Sequence, residues 1–248
     1  MLHVQALPGT PANHLSLQEI IDYTLKEVEI FGEQGIDTFI IENMHDLPYL
    51  NGQVGPEITA AMAIIAYEIK RRFAVQLGIQ ILAGANKEAL AVAFCSGADF
   101  IRAEGYIFSH IADEGLMNSC AGELLRYRKA INAERVKLLV DIKKKHSSHA
   151  ITADVDIVET AKAAKFFLAD GVIITGSSTG ISADLAELKA VSEEVDIPVL
   201  IGSGVTAKNL KSYLKYADAV IIGSYFKRGG YWANELSVER IKSLLELR

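Results

Sequence analysis

The chain has 248 residues, of which 50% are hydrophobic and 23% are charged, and its formal net charge is −6 at pH 7. This balance is typical of a globular protein with a sizeable core, and the negative charge gives no long-range attraction for nucleic acid, so we expect no nucleic-acid partner. The longest apolar run, residues 60–67, is far shorter than the roughly 18 residues of a membrane-spanning helix. We therefore expect no membrane span. No secretory leader pattern opens the sequence, which favours a cytoplasmic location.

Eight short apolar runs recur along the chain, and each is suited to a buried parallel strand. They are residues 2–6, 38–42, 75–81, 99–103, 136–142, 171–175, 198–202 and 219–223. Amphipathic stretches lie between them. Ser16 with Glu19 predicts a helix that starts with a capping box, and Pro56 predicts the first turn of another helix. Further helices are predicted over 152–171, 182–196, 206–218 and 237–247.

The alternation of strands and helices predicts the fold class. Eight strand-then-helix units favour an α/β fold of the (β/α)₈ TIM-barrel type over an open doubly wound sheet. An aspartate stands just before four of the strands, as a repeated helix-to-strand turn would require: Asp37, Asp99, Asp170 and Asp218. No linker rich in Pro, Gly or Ser divides the chain, so we expect one domain over residues 1–248.

In such a fold, function belongs at the carboxyl ends of the strands. Counting two by two along each strand places a set of polar side chains there, facing inward. The set is His3, Gln5, Glu42, Arg102, Glu104, Asp141, Lys143 and Thr175.

Two neighbouring predicted strands are each followed by a short Gly-Ser sequence. Gly202, Ser203 and Gly204 follow the seventh strand, and Gly223 and Ser224 follow the eighth. Loops in these positions form the phosphate site of many barrels, and small residues let backbone N–H groups approach an anion directly. We therefore predict that these five residues bind phosphate. The alternative is that the glycines only terminate strands.

The segment after the fifth strand is the strongest candidate for catalysis. Asp141 ends an apolar strand, where a charge is costly unless it is paired, and Lys143, Lys145 and His146 follow. A desolvated lysine in this position would serve as a base or as a Schiff-base nucleophile. The alternative is a solvated basic loop.

Glu42 would act as an acid, a base or a metal ligand. No spacing typical of a metal site accompanies it, so we predict no cofactor, and a divalent metal remains the alternative. Cys95 and Cys120 lie in unrelated segments, which is typical of reduced packing residues rather than of a disulfide framework.

Several motifs together resemble the BtpA/SgcQ family across nearly the whole chain. They are HVQALPG at 3–9, IIENMHDLPY at 40–49, VGPE at 54–57, GADFIR at 97–102, DEG at 113–115, KH at 145–146, TG at 175–176 and IGSGVTAKN at 201–209. The resemblance implies a (β/α)₈ barrel like the ribulose-phosphate-binding group. It implies no established reaction, because cyanobacterial members are associated with photosystem I biogenesis as peripheral membrane proteins and bacterial relatives occur in sugar-utilisation gene sets. Ala6, Ala83, Gly84 and Lys143 depart from the pattern usual in the family.

These observations favour an enzyme that acts on a small phosphorylated metabolite, such as a sugar or nucleoside phosphate. In this interpretation Asp141, Lys145 and Glu42 transfer protons in an isomerisation, an aldol cleavage or a glycosidic-bond cleavage. The substrate would be contacted by Arg102, Lys143, His146, Thr175 and Gly176. Two other hypotheses are a non-catalytic assembly factor and a ligand-binding sensor. Barrels of this type are often oligomers, so we expect a homo-oligomer.

Overall fold

A computed structural model describes residues 1–176, 178 and 180–247. The chain groups into two compact units. The first unit comprises Met1–Arg102 and Glu123–Lys137, and the second comprises Ala103–Gly122 and Leu138–Arg248. The expectation of one domain stays a prediction.

The first unit contains four parallel strands in the order β1, β2, β3, β4. Their bounds are β1 Leu2–His3, β2 Thr38–Glu42, β3 Gln76–Gln80 and β4 Phe100–Ala103, whose last residue opens the second unit. The helices of this part of the chain are α1 Leu17–Glu33, α2 Pro56–Arg72, α3 Asn86–Ser96 and α4 Ala121–Ala130, whose first two residues belong to the second unit. The predicted capping box is present, because Ser16 and Glu19 each cap the backbone of the other.

The second unit also contains four parallel strands, and their order is β7, β9, β10, β11. Nearly every residue of these strands is buried or half-buried, as expected for parallel strands that are covered on both faces. The bounds are β7 Lys137–Ile142, whose first residue belongs to the first unit, β9 Gly171–Ile174, β10 Val199–Ile201 and β11 Ala219–Val220. The helices are α5 Ile157–Phe166, α6 Leu185–Glu194, α7 Leu210–Tyr213 and α8 Val238–Leu245.

The second unit also carries a small antiparallel sheet that the sequence patterns did not predict. It consists of β5 His110–Ala112, β6 Gly115–Met117 and β8 Ser147–Ser148, with β5 in the centre. The strands are only two or three residues long, too short to give a clear alternating pattern. The sheet joins the segment that follows β4 to the segment that follows β7.

The helix predicted over 206–218 is reduced to the single turn α7. Asn209, rather than Thr206, stands at its start. The side chain of Asn209 accepts the Thr206 N–H at 2.7 Å and donates to the Gly204 carbonyl at 2.9 Å. These bonds hold residues 204–209 in a loop, so the helix begins only after Asn209.

The repeated aspartates tie neighbouring strands together at their amino ends. The Asp99 carboxylate accepts the Leu77 N–H at 2.8 Å, Asp170 accepts Leu138 N–H at 2.9 Å, and Asp218 accepts Val199 N–H at 2.8 Å. In each pair the aspartate N–H also donates to the carbonyl of the same partner. We call these three residues the aspartate clamps. Each clamp fixes the register between its own strand and the strand beside it.

The clamps generate a prediction about stability. Replacing Asp170 with alanine removes a charge-assisted hydrogen bond to Leu138, so we expect the free energy of unfolding to fall by about 1–2 kcal/mol. Asp37 is the matched control, because it is exposed and its carboxylate accepts the hydroxyl of the neighbouring Thr38 rather than an N–H of the adjacent strand. Asp37→Ala should change stability by no more than about 0.5 kcal/mol. Equal losses for the two variants in urea unfolding would contradict a role for the clamps.

Candidate functional site

The four parallel strands of the second unit end level with one another. Ile142 pairs with Ile174, Ile174 with Ile201, and Ile201 with Val220. The residues that follow these positions therefore lie along one edge of the sheet. This edge carries Asp141, the Thr175–Gly176 pair, the corner 202–204 after β10 and the corner 223–224 after β11.

The corner after β10, residues 202–204, has one backbone N–H that is hydrogen-bonded to a described carbonyl and two open N–H groups that are not. The Gly202 N–H donates to the Ile174 carbonyl at 2.8 Å and so continues the strand ladder. No carbonyl oxygen of a described residue accepts the N–H of Ser203 or Gly204. Gly204 has φ +65°, a left-handed conformation that favours glycine. Ser203 is buried, and its hydroxyl donates to the Ser178 carbonyl at 3.2 Å.

The glycines of this edge also leave space for the backbone of the segment around Ile181. A Cβ on Gly204 would stand 2.3 Å from the Ile181 carbonyl oxygen, and a Cβ on Gly176 would stand 2.1 Å from the same atom. Ser182 adds a hydrogen bond from its hydroxyl to the Gly204 carbonyl at 3.3 Å. Close packing of the segment around Ile181 is thus one reason for small residues here, independent of any ligand.

The corner after β11 is an ordinary tight turn. Residues Ser224–Phe226 form one 3₁₀ turn, in which Phe226 N–H donates to Gly223 O and Lys227 N–H donates to Ser224 O. Within the described chain, no carbonyl accepts the N–H of Gly223 or Ser224. This single turn is too short to supply a helix dipole, so any anion here would be bound by individual amides.

A buried ion pair lies beside this edge. Lys144 Nζ is 3.2 Å from Glu104 Oε2, and each side chain is 7% exposed. Burial opposes the charge of Lys144, but Glu104, Glu114 and Asp141 outweigh it and raise the pKa of the ammonium. Lys144 is therefore held as a cation, which makes it a poor base or Schiff-base nucleophile near neutral pH. Asp141 is also buried.

The predicted lysines and histidine of the same loop are placed differently from Lys144. Lys145 is half-buried, and its backbone N–H donates to the Thr175 hydroxyl at 2.9 Å. Lys143 Nζ donates to the Thr152 carbonyl at 3.2 Å. His146 is exposed and lies 3.9 Å from Asp113, while burial lowers its pKa. Their roles toward a substrate stay predictions.

The antiparallel sheet brings two histidines to the ion pair. The His110 and His149 rings are 5.2 Å apart, and His149 Nε2 donates to the Lys144 carbonyl at 3.1 Å. Burial lowers the pKa of His110 to about 4, and Lys144 acts in the same direction. His110 was not predicted from the sequence, because its burial depends on pairing between β5 and β8, which are remote in the chain.

A cavity of about 10 Å³ lies beside these residues, which is room for about one water molecule. Seven of the residues that line it have polar side chains: His110, Asp141, Lys143, Lys144, His149, Thr152 and Thr160. His110 is only 4% exposed, and its Nε2 atom has no hydrogen-bond partner among the described residues.

Three of the predicted polar residues of the first unit, His3, Glu42 and Arg102, are also buried, whereas Gln5 is half-buried. His3 Nε2 lies 3.8 Å from Glu42 Oε2, and Arg102 is 3% exposed. Close to Glu42, the Asp46 carboxylate accepts N–H groups from Leu7 and from the Asn43 side chain, each at 2.8 Å. Burial raises the pKa of Asp46, and these two hydrogen bonds oppose the rise. Asp46 thus has a structural role in joining two loops.

Across the described ranges, no three His, Cys, Asp or Glu residues come together in a way suited to a metal ion. The same ranges contain no helix that is both long enough and apolar enough to cross a membrane. Cys95 and Cys120 are both free thiols.

Solved structures with similar folds share little sequence with this chain. Orotidine 5'-phosphate decarboxylase from Pyrococcus horikoshii OT3 matches with a TM-score of 0.59 and 12% identity, over 95% of each chain. Thiamine phosphate pyrophosphorylase from Pyrococcus furiosus matches with a TM-score of 0.58 and 14% identity, over 90% of this chain and 88% of that one. These likenesses confirm the predicted fold class, an α/β fold of the (β/α)₈ TIM-barrel type.

Relatives by sequence cover nearly the whole chain. "Uncharacterized protein F13E9.13, mitochondrial" from Caenorhabditis elegans is 50% identical over 99% of this chain and 90% of its own length. "Photosystem I biogenesis protein BtpA" from Synechocystis sp. is 31% identical over 99% of this chain and 85% of its own length. The family model described as BtpA family matches residues 1–248. The chain therefore belongs to the BtpA family, as its motifs predicted.

Proposed function

We propose that the protein is an enzyme that binds a small phosphorylated metabolite along the carboxyl edge of β7, β9, β10 and β11. The observation that carries this proposal is a pair of corners, at 202–204 and 223–224, with open backbone N–H groups. No carbonyl of a described residue accepts the N–H of Ser203, Gly204, Gly223 or Ser224. Convergent backbone N–H groups are a common way to bind phosphate. Gly202 is the exception in the predicted set, because its N–H belongs to the ladder.

The spacing of the strands supports a ligand with a phosphate at one end and a reacting group at the other. β7 and β10 are separated by β9 alone. Two intervals between strands correspond to about 9–10 Å, a span that a phosphorylated sugar can bridge. With phosphate at the corner after β10, the rest of the ligand would extend toward Asp141 on β7.

The charges around Asp141 favour it as a participant in proton transfer. Asp141 lines the cavity together with the cation Lys144, and it contributes to the raised pKa of that lysine. A cation beside a carboxylate favours the charged form of both. We propose Lys144, the buried lysine of this loop, as the residue that stabilises negative charge on the substrate. The sequence favoured Lys145 for proton transfer, and that role stays a prediction.

The names of the structurally similar proteins are consistent with this proposal. Orotidine 5'-phosphate decarboxylase and thiamine phosphate pyrophosphorylase both carry a phosphate-containing compound in their names. The similarity to these proteins supports a phosphorylated ligand here but does not identify the compound. We assign the proton transfers to side chains and propose no cofactor. Loss of activity on dialysis against a chelator would instead indicate a divalent metal.

A second function is favoured by the relative from Synechocystis, whose name assigns it to photosystem I biogenesis. A non-catalytic assembly factor would use the same fold as a scaffold. A sensor would keep the anion site without turnover.

We also propose a cytoplasmic homo-oligomer. Two free thiols agree with a reducing compartment, although the relative from Caenorhabditis elegans is named as mitochondrial. Cell fractionation and size-exclusion chromatography with light scattering test these two points.

The corners at 202–204 and 223–224 generate the first prediction for this function. In wild-type protein, inorganic phosphate or ribose 5-phosphate at about one hundred times its Kd should raise Tm by about 5–10 °C, whereas ribose should not. Ser224→Asp should abolish the stabilisation, because it adds a negative charge at the open amides. Ser243→Asp is the matched control, since Ser243 is exposed on α8 and gains the same charge. No stabilisation of wild-type protein by any phosphorylated compound would favour the assembly factor.

Asp141 generates the second prediction. For a phosphorylated compound that stabilises the protein and is turned over, Asp141→Asn should lower kcat by about 10²–10⁴-fold and leave the thermal stabilisation in place. The substitution keeps the shape of the side chain and removes its charge. Asp154→Asn, at an exposed position of the same unit, is the control. An unchanged kcat in Asp141→Asn would exclude Asp141 from the mechanism.

A further inference from the structure

A ring nitrogen of His110 that has no hydrogen-bond partner among the described residues indicates a second binding site. This site is distinct from the corners at 202–204 and 223–224. The imidazole is 4% exposed, and its Nε2 atom has no partner among the described residues. A buried polar atom of this kind costs roughly 1–3 kcal/mol unless something binds to it. The adjacent cavity of about 10 Å³ has the volume that a single water needs, roughly 10–15 Å³.

The hydrogen bond on the other side of the ring fixes the state of Nε2. His110 makes a hydrogen bond with the backbone of Phe108, and this bond acts to raise its pKa. A bond that favours the protonated ring is one in which the imidazole donates, and the unpartnered Nε2 leaves Nδ1 as the donor. In the neutral ring Nε2 then carries a lone pair rather than a proton. His110 therefore presents an acceptor to the cavity.

The surrounding charges keep the ring neutral. Burial is the largest influence, Lys144 and His149 also lower the pKa of His110, and Glu104 opposes them. Asp141 also lines the cavity and supplies a carboxylate there. Because Lys144 is paired with Glu104 at 3.2 Å, the site holds a fixed cation and a neutral base side by side.

We propose that the cavity is a binding site for one water molecule, held by the Nε2 lone pair of His110, and that His110 is the group that accepts a proton from this water. The existence of the water site is independent of the function proposed above, but its use in catalysis rests on that function. The reaction class that it supports is hydrolysis of a glycosidic or ester bond of the phosphorylated substrate.

The atoms of such a reaction balance without a further reactant. The water oxygen forms a bond to the attacked atom of the substrate, and one water proton passes to His110 Nε2. The bond to the leaving group breaks, and its electron pair goes to the leaving group. The imidazolium then returns the proton to the leaving group, so the net change is addition of water across the bond.

Two variants separate a water site from an empty cavity. His110→Gln places an amide close to the position of Nε2 and can retain the water, whereas His110→Leu cannot. We expect Tm to fall by about 3–8 °C in His110→Leu and by less than half of that in His110→Gln. Ser96→Ala is the control, because Ser96 Oγ is likewise buried without a partner among the described residues, and its removal should be close to neutral.

The pH dependence of stability provides a second readout. Between pH 6.5 and about 4, the unfolded chain binds a proton on His110 and the folded protein does not, so stability falls as pH falls through this range. His110→Gln should reduce the slope by about one proton relative to wild type. His146 and His149, whose pKa values are also lowered, account for part of the remaining slope.

The deciding experiment is a high-resolution crystal structure of the wild-type protein together with NMR of the imidazole nitrogens. We expect one ordered water within hydrogen-bond distance of His110 Nε2, and a proton on Nδ1 alone above about pH 5. An empty cavity, a proton on Nε2, or a Tm for His110→Leu equal to or above that of wild type would overturn the proposal. These measurements use no phosphate, so their failure is distinguishable from failure of the anion site.

Discussion

Register between neighbouring strands is the constraint on which the candidate site depends. Asp170 and Asp218 each accept the N–H of a residue at the start of the adjacent strand, and each also donates its own N–H to that residue. A slip of one residue would turn every side chain to the opposite face of the sheet. Since the amino ends are fixed in this way, the carboxyl ends meet at one level, with Asp141 and the two glycine-serine corners on the same edge.

The parts of this arrangement that follow local rules could be predicted from the sequence. The eight apolar runs coincide with the eight parallel strands, and Ser16 and Glu19 form the predicted capping box. The aspartates before four of the strands were recognised as a repeated turn, although the bonds of Asp99, Asp170 and Asp218 to the neighbouring strands were not. The fold class followed from the alternation of elements. The substrate-site roles expected of Glu42 and Arg102, which belong to the first unit, stay predictions.

Other parts depend on geometry that spacing does not encode. The alternation of β7 ends at Lys143, whose φ of +44° turns the chain. Lys144 is therefore the buried lysine, where the two-residue count favoured Lys143. His110 belongs to a strand of three residues, and only its pairing with β8 brings it close to Lys144. Gly204 was predicted to bind phosphate because a glycine lets backbone N–H groups approach an anion. A glycine is also needed there because a Cβ would clash with the Ile181 carbonyl. Nonlocal pairing and close backbone contacts cannot be read from one sequence.

The proposed function depends on whether the open amides bind an anion. The most direct measurement is a titration of ¹⁵N-labelled protein with inorganic phosphate, followed through the backbone amide resonances. We expect saturable shifts of the amides of Ser203, Gly204, Gly223 and Ser224 with one common Kd, and a smaller shift of Gly202, whose N–H is already bound to the Ile174 carbonyl. Saturable shifts confined to surface lysines, or no saturable shift at these four amides, would contradict it.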